Sequence, residues 1–375
     1  MGEPETNDYD YENEDEGYLP MTIGLLVPSA VGISVLIILT IIGNVLTIIA
    51  FLRDKRLHTV YDLYIFNLAI TDLLIGLSSM PFYAVYTLRE FVWDFGPAYC
   101  KVWLCIDFTL CLESVLMIVI LSFDRLQLLR YGPHYTTKVT LRKAVIQVAV
   151  SWVMAFLLYC PAIIGWDYWV GYSTVRENDC DTEFAYNFEY TTATAFVEFL
   201  IPLFALIIIN FLIYRKIFSR LKAKNKVKPL VINTKKAVIP ADNVPEGTEN
   251  QNVPSTSAQV LEKGSENGKN SQEQLQTRRE NKAARFLAAL VLVFLVCWLP
   301  YTLFTIIVSF CEEGCVNLSL YESMNWLLWG KSAINPLLYA MNNERYKSNF
   351  KRLIFWWRKK VPSIRTIDAT ENTVM

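Results

Sequence analysis

The hydrophobic residues of this chain lie in long blocks separated by short polar segments, rather than at the spacing of amphipathic helices or strands. Seven blocks hold about 20 or more mostly apolar residues, the length a helix needs to cross roughly 30 Å of hydrocarbon. They lie near residues 23–51, 60–86, 100–123, 143–165, 190–214, 284–309 and 318–341. The pattern predicts an all-α membrane protein, a seven-transmembrane helix bundle.

Polar segments divide the chain around these spans. The longest of them has many Pro, Gly, Asn, Ser, Gln and Glu residues and almost no aromatic ones, so it cannot bury enough apolar surface to fold alone. The segment after the seventh span places apolar side chains on one helical face and basic ones elsewhere, which predicts a short amphipathic eighth helix on the membrane surface. The predicted divisions are an acidic tail (1–22), spans one to five (23–216), a largely disordered cytoplasmic loop (217–280), spans six and seven (281–341), the amphipathic helix (342–358) and a cytoplasmic tail (359–375).

Composition and charge agree with a membrane protein and orient it. Of the 375 residues, 53% are hydrophobic and 14% aromatic, which is typical of membrane proteins. The net charge of −1 conceals an asymmetry: residues 1–18 contain acidic and no basic side chains, whereas "LRDKRLH" after the first span is basic. The positive-inside rule therefore predicts an extracellular N-terminus and a cytoplasmic C-terminus.

The cysteines divide by their expected depth in the membrane. Cys100 at the outer end of the third span and Cys180 in the outer loop "RENDCDTEF" both lie where a disulfide can persist, and we predict that they pair. Cys311 and Cys315 in "CEEGC" form either a second, short bridge or two free thiols. The remaining cysteines fall inside spans, where packing is the simplest role.

Charged residues at membrane depth are few and therefore informative. Asp107 and Arg125 lie on the third span, about 27 Å apart along a helix, so we expect Asp107 in the outer half and Arg125 at the cytoplasmic rim. A carboxylate in a cavity open to the outside is suited to bind a cation, because burying it unpaired is costly. The alternative is an aspartate held by backbone groups or by hydroxyls of a neighbouring helix.

Several motifs resemble one family. They are Asn44 in "GNVL", Asp72 in "NLAITDLL", Asp124 and Arg125 in "SFDRL", Trp152, Pro202, "CWLPY" and "NPLLY". Together they resemble the rhodopsin-family (class A) G-protein-coupled receptors, over all seven spans and in order. The position of Asp107 before Arg125 resembles that of the aminergic receptors, and Cys111, "EFLIP", "CWLPYT" and Trp329 are most similar to the histamine receptors of the third and fourth subtypes.

The resemblance implies a ligand and the residues that bind it. Asp107 would take the ammonium of a small amine, most simply histamine, while Glu198 across the cavity would accept from the imidazole N–H. A catecholamine or serotonin site is expected to carry hydroxyls near Glu198, but only Thr194 remains there. Another role for Glu198 is a side chain that reaches the lipid interface. The other expected ligand-binding residues, each of which could instead pack in the core, are Phe108, Cys111, Trp298, Tyr301, Trp326 and Trp329.

The resemblance also implies a coupling site and its partners. Arg125 would pair with Glu280 in the resting state and contact a heterotrimeric G-protein of the Gi/o class after the sixth helix moves, which lowers cAMP. The further residues of this switch are Asp124, Pro300, Asn335, Pro336 and Tyr339. We therefore expect a multi-pass plasma-membrane receptor in the lipid bilayer, without a cofactor and without a nucleic-acid partner.

Two buried charges depart from the family pattern. Lys331 stands where these receptors usually have Asn, beside the sodium site that the resemblance suggests at Asp72 and Ser114. We expect the Lys331 ammonium to pair with Asp72 and replace the sodium ion. Glu113 lies off the stripe that faces the cavity, and the sequence offers no physical account of it.

Other functions stay open at this stage. Besides a receptor for another amine, Lys331 suggests a retinal protein, although opsin-like chains carry their lysine two positions earlier, where Trp329 stands. A transporter would use the same buried charges, but the chain has no evident internal repeat. An enzyme is not expected, because neither a nucleophile–base pair nor metal-ligand spacing appears.

Overall fold

The computed structural model describes residues 23–233, 256–310 and 318–355. Every regular element within these ranges is helical. In chain order the helices are α1 (Ile23–Arg53), α2 (Val60–Leu74), α3 (Met80–Leu88), α4 (Pro97–Tyr131), α5 (Tyr135–Lys138), α6 (Leu141–Val170), α7 (Phe188–Ala195), α8 (Ile201–Asn233), α9 (Thr256–Phe310), α10 (Leu318–Asn342) and α11 (Glu344–Ile354).

Seven helical segments correspond to the seven predicted spans. Six of the segments in the described ranges are long and apolar enough to cross a membrane by length and composition. The seventh, α10, is less hydrophobic because Glu322, Asn325, Lys331 and Asn335 interrupt it, yet it packs against α1 and α9. The predicted all-α bundle is confirmed, and the polar residues of α10 face into it, since all four are buried.

The polar interval predicted at 217–280 is partly helical. Helix α8 continues to Asn233 and α9 begins at Thr256, as the basic flanks of the interval allow. Residues 234–255 lie outside the described ranges, as do the two terminal tails, the Cys311 and Cys315 pair and Glu3 to Glu16 of the acidic tail. The disorder of the loop and the second disulfide therefore stay predictions.

Helix α4 is the central element of the bundle. It packs against α2, α6 and α8, and buried side chains occur along almost its whole length, from Cys100 to Leu129. A helix that is contacted on most of its sides buries polar residues with apolar ones, so Asp107, Glu113 and Asp124 are all removed from the surface. This central position explains why α4 lacks the single apolar face of a surface helix.

Two spans contain a π-helical turn just before a proline. Ile75–Ser79 joins α2 to α3 ahead of Pro81, and Phe196–Leu200 joins α7 to α8 ahead of Pro202. Proline lacks an N–H and its ring clashes with the carbonyl four residues earlier, so the helix widens there. For Pro202 this carbonyl belongs to Glu198. The wider turn therefore affects how the Glu198 side chain leaves the helix.

One end of the bundle, here called the disulfide end, is covered by the segment 171–187. Cys100 and Cys180 are joined by a disulfide, which confirms the predicted pair. The backbone N–H of Trp93 donates to the carbonyl of Asn178 at 2.7 Å, and the Tyr86 hydroxyl donates to Asp179. These contacts fix the segment over the helix ends.

Helix α11 lies at the opposite end, here called the Arg125 end. Asn343 caps its first turn, and Tyr346 and Asn349 are buried against α1 and α10. Asn349 donates to Asp54 at 2.9 Å. Hydrogen bonds from Arg56 and then from Asn349 hold the pKa of Asp54 well below its ordinary value, so the carboxylate stays charged and ties α11 to the first loop.

Glu113, which the sequence left unexplained, joins three helices. Its Oε1 accepts hydrogen bonds from Asn67 of α2 at 2.9 Å and from Ser151 of α6 at 3.1 Å. Asn67 in turn accepts from Trp152 Nε1 at 3.1 Å. The fully buried Glu113 is thus an interhelical anchor, with Asn67 as its closer donor, since the Ser151 hydroxyl is shared with the Val148 carbonyl at 2.8 Å.

Removing this anchor should destabilise the protein. Glu113→Ala leaves the Asn67 amide without its acceptor, which costs about 1–3 kcal/mol, and the matched Glu113→Gln keeps an oxygen at the same place. We expect a lower midpoint of thermal unfolding in detergent for the alanine variant than for the glutamine variant. Equal midpoints for the two variants would contradict the anchor role.

Candidate ligand-binding site

A cavity of about 1270 Å³ opens at the disulfide end. Small-molecule sites are usually roughly 300–1,000 Å³, so this one can hold a small ligand and still connect to solvent. Helices α4, α6, α9 and α10 and the π turn before α8 contribute its deeper walls. Six of the predicted ligand-binding residues line it: Asp107, Phe108, Thr194, Glu198, Tyr301 and Trp329.

Asp107 lies deep in the cavity wall and is buried. Its Oδ1 accepts from Trp329 Nε1 at 3.0 Å and from the Cys111 thiol at 3.7 Å. Among the described residues no lysine or arginine forms an ion pair with it. Neutral donors do not cancel the negative charge of a carboxylate. Because Asp107 lines the cavity, its charge can attract a cation that enters there.

Glu198 is the second buried carboxylate of the cavity. The π turn that precedes Pro202 carries it, and the Tyr159 hydroxyl of α6 donates to its Oε2. Tyr159 also packs its ring against Phe108 at 4.8 Å between centroids. One tyrosine therefore orients Glu198 and shapes the floor beside Asp107.

The aromatic residues form two layers. Tyr301 and Trp329 line the cavity, whereas Trp298 lies beneath it with 1% of its surface exposed. The rings of Trp298 and Tyr301 meet edge to face at 6.4 Å. Like Trp298, Cys111 and Trp326 are not among the residues that line the cavity in the described chain. The Trp326 ring packs against that of Trp329, at 5.4 Å between centroids. The Thr194 hydroxyl donates to the carbonyls of Tyr190 and Thr191.

Sequence reasoning missed an acidic rim at the mouth of the cavity. Asp179 and Asp181 come from the segment next to Cys180, and Glu322 comes from α10. Tyr83 donates to Glu322, and Tyr86 donates to Asp179. Two signals pointed to these residues: the aspartates flank the predicted disulfide, and Glu322 precedes Trp329 by about two helical turns. Acidic side chains thus occur from the mouth, which Arg176 also lines, down to Asp107.

A polar layer lies below the cavity, around Asp72. Its Oδ1 accepts from Ser332 and its Oδ2 from Asn335, both at 2.7 Å. The Ser114 hydroxyl is buried in the same layer, next to Asp72. The expected pair between Lys331 and Asp72 is not formed: the Lys331 Nζ lies 4.7 Å from the centre of the Trp298 ring and has no hydrogen-bond partner.

The position of Lys331 also bears on a retinal site. The side chain is 1% exposed and is not among the residues that line the cavity in the described chain. A Schiff-base lysine must reach the cavity that holds its aldehyde. The geometry therefore gives no support to the opsin-like alternative.

At the Arg125 end, Arg125 is held by residues on its own side of the bundle. It pairs with Asp124 at 2.6 Å and its guanidinium lies 3.7 Å from the centre of the Tyr61 ring. Tyr135 donates to Asp124 as well. The side chain of Glu280 is outside the described part of the chain, so its pair with Arg125 stays a prediction.

Three predicted switch residues lie between the two ends. Pro336 lies inside α10 and contacts α1 closely, since a Cβ at Gly43 would come within 2.9 Å of its ring. This approach explains the glycine in "GNVL". Pro300 lies inside α9, and Tyr339 is buried with its ring 6.1 Å from Phe286.

Comparison with known proteins identifies the class. Residues 43–339 match the family model of the 7 transmembrane receptor (rhodopsin family). The chain therefore belongs to this family of G-protein-coupled receptors and is a multi-pass membrane receptor, not an enzyme.

Three individual receptors show which proteins the chain is similar to. The chain is 30% identical to the histamine H4 receptor of Rattus norvegicus over 94% of this chain and 98% of that protein. It is 30% identical to the histamine H4 receptor of Homo sapiens over 86% and 90%. It is 27% identical to the muscarinic acetylcholine receptor M2 of Gallus gallus over 88% and 92%.

Proposed function

We propose that this receptor binds a small biogenic amine, with histamine as the first candidate, and activates a heterotrimeric G-protein of the Gi/o class. The observation that carries the proposal is the pair of buried carboxylates, Asp107 and Glu198, on one cavity. Among the described residues neither has an ion-pair partner. Such a site favours a ligand that brings its own positive charge.

Asp107 binds the ammonium of the ligand. The bond is charge-assisted and therefore stronger than a bond between neutral groups. Phe108 and Trp329 lie at the same level, and aromatic faces add to the attraction for an organic cation. The acidic rim contributes as well, because a negative potential at the mouth raises the rate at which cations enter.

Glu198 selects for a second donor on the ligand. Histamine carries an imidazole N–H at the end opposite its ammonium, and Glu198 can accept that hydrogen bond while Tyr159 holds the carboxylate in place. A ligand without this donor leaves the buried Glu198 carboxylate without a hydrogen bond from the ligand, which lowers the affinity of that ligand. The two histamine receptors among the relatives support this choice.

A receptor for another amine is the alternative. The muscarinic relative is named for acetylcholine, whose quaternary ammonium suits Asp107 and whose other end has no donor for Glu198. Dopamine and serotonin would meet Ala195 and Glu198 where hydroxyls are expected. The responses of the natural chain and of Glu198→Gln to each of these amines distinguish them.

Signalling follows from the arrangement at the two ends. We place the disulfide end outside the cell and the Arg125 end in the cytoplasm, in keeping with the charge asymmetry of the chain. Arg125, held by Asp124 and Tyr61, is released when α9 moves outward and then contacts the G-protein. An agonist must bind this open state better by a few kcal/mol to shift the population.

Asp107→Asn should abolish amine recognition. Removing one member of a buried charge pair costs roughly 2–5 kcal/mol, so we expect at least about a 30-fold loss of affinity for every amine. Radioligand binding to membranes measures this loss. The matched control is Asp167→Asn, which removes a carboxylate paired with Lys101 outside the cavity; an Asp107→Asn variant with unchanged affinity would place the ammonium elsewhere.

Glu198→Gln should affect histamine selectively. A charge-assisted hydrogen bond becomes a neutral one, which weakens histamine by roughly tenfold, while monoamines without a second donor change little. A cAMP assay in transfected cells compares histamine with acetylcholine, which has no second donor, and with dopamine and serotonin, whose hydroxyls are donors, on both receptors. Glu113→Gln is the control for the same substitution at a buried site away from the cavity. Equal losses for all amines would mean that Glu198 only supports the structure.

A further inference from the structure

Lys331 is a buried charged residue that the proposed function does not use. Its side chain is 1% exposed, and its Nζ has no hydrogen-bond partner. It lies 4.7 Å from the centre of the Trp298 ring. A buried ammonium is costly unless negative charge surrounds it, so the position must have an electrostatic reason.

The reason lies in three carboxylates around it. On α10, Lys331 lies between two residues that bond carboxylates: Trp329 donates to Asp107, and Ser332 donates to Asp72. The third carboxylate, Glu198, lines the same cavity as Asp107. None of the three has an ion-pair partner among the described residues. One ammonium between three carboxylates therefore supplies part of the positive charge that this region needs, without being fixed to any one of them.

The polar layer around Asp72 is a poor site for a free metal cation while Lys331 is charged. Both carboxylate oxygens of Asp72 already accept from Ser332 and Asn335, which are neighbours of Lys331 on α10. A sodium ion would also be repelled by the fixed ammonium.

We propose that the Lys331 ammonium is the permanent internal cation of this bundle and takes the place of a sodium ion between the ligand cavity and Asp72. Because the cation is covalently tethered, it cannot be exchanged with the solution. The stability of the receptor should then not respond to sodium, unlike that of a bundle that binds the ion from solution. This inference does not depend on which amine the receptor binds.

The hydroxyl of Ser114 fits this view. It is fully buried next to Asp72, so it is an oxygen that a free cation at Asp72 would contact. With Lys331 neutralised, Asp72 and Ser114 together offer oxygen ligands to a small hard cation. Removing the ammonium should therefore create a sodium site that the natural chain lacks.

The test uses the full-length receptor purified in detergent without ligand. Its thermal unfolding is measured in a series of NaCl concentrations, with KCl added to keep the ionic strength constant. A ligand that binds only the folded state raises the midpoint as its concentration increases. For the natural chain we expect the same midpoint at every ratio of sodium to potassium; a rise specific to sodium would overturn the proposal without any variant.

Substitutions then test the role of the ammonium. Lys331→Asn should make the midpoint rise with sodium, and the double variant Lys331→Asn with Asp72→Asn should lose this response again. Lys331→Met is a second neutral variant if the first folds poorly, and Lys101→Asn is the control for removing a lysine elsewhere. If the natural chain and both neutral variants are equally unresponsive, Lys331 is not what excludes sodium, and the proposal fails.

Discussion

A carboxylate inside a helical bundle needs hydrogen-bond donors or a cation, because solvent cannot stabilise it there. Asp72 receives donors from α10, Asp107 receives the Trp329 indole of the same helix, and Glu198 receives the Tyr159 hydroxyl of α6. Each of these bonds joins two separate helical segments. The hydrogen bonds that stabilise the buried carboxylates therefore also fix the relative positions of α2, α4, α6 and α10.

Charged side chains follow one axis of the protein, from the disulfide end inward. On the proposed function, carboxylates at the rim and in the cavity attract a cation from the disulfide end, and Asp107 and Glu198 hold it at two points. Trp298 lies beneath the cavity, and the Lys331 Nζ lies 4.7 Å from the centre of its ring.

Several features follow from local patterns and were therefore predictable. Apolar block lengths predicted the helices, and the depth of Cys100 and Cys180 predicted their disulfide. Asp107 could be placed because about five regular helical turns separate it from Arg125. In contrast, the role of Glu113 depends on Asn67 and Ser151 of two other helices, and the acidic rim depends on a covering segment whose path no periodicity encodes.

The sequence by itself determined the seven spans, the buried charges and the family resemblance, because hydrophobic length and residue identity are properties of the chain alone. Only the tertiary structure decided what each buried charge faces. Lys331 was expected to pair with Asp72, yet its Nζ lies over Trp298, and Cys111 and Trp326 do not line the cavity. The reason is physical: a long side chain or a π turn such as that at Glu198 is directed by packing between helices, and residues distant in sequence supply that packing.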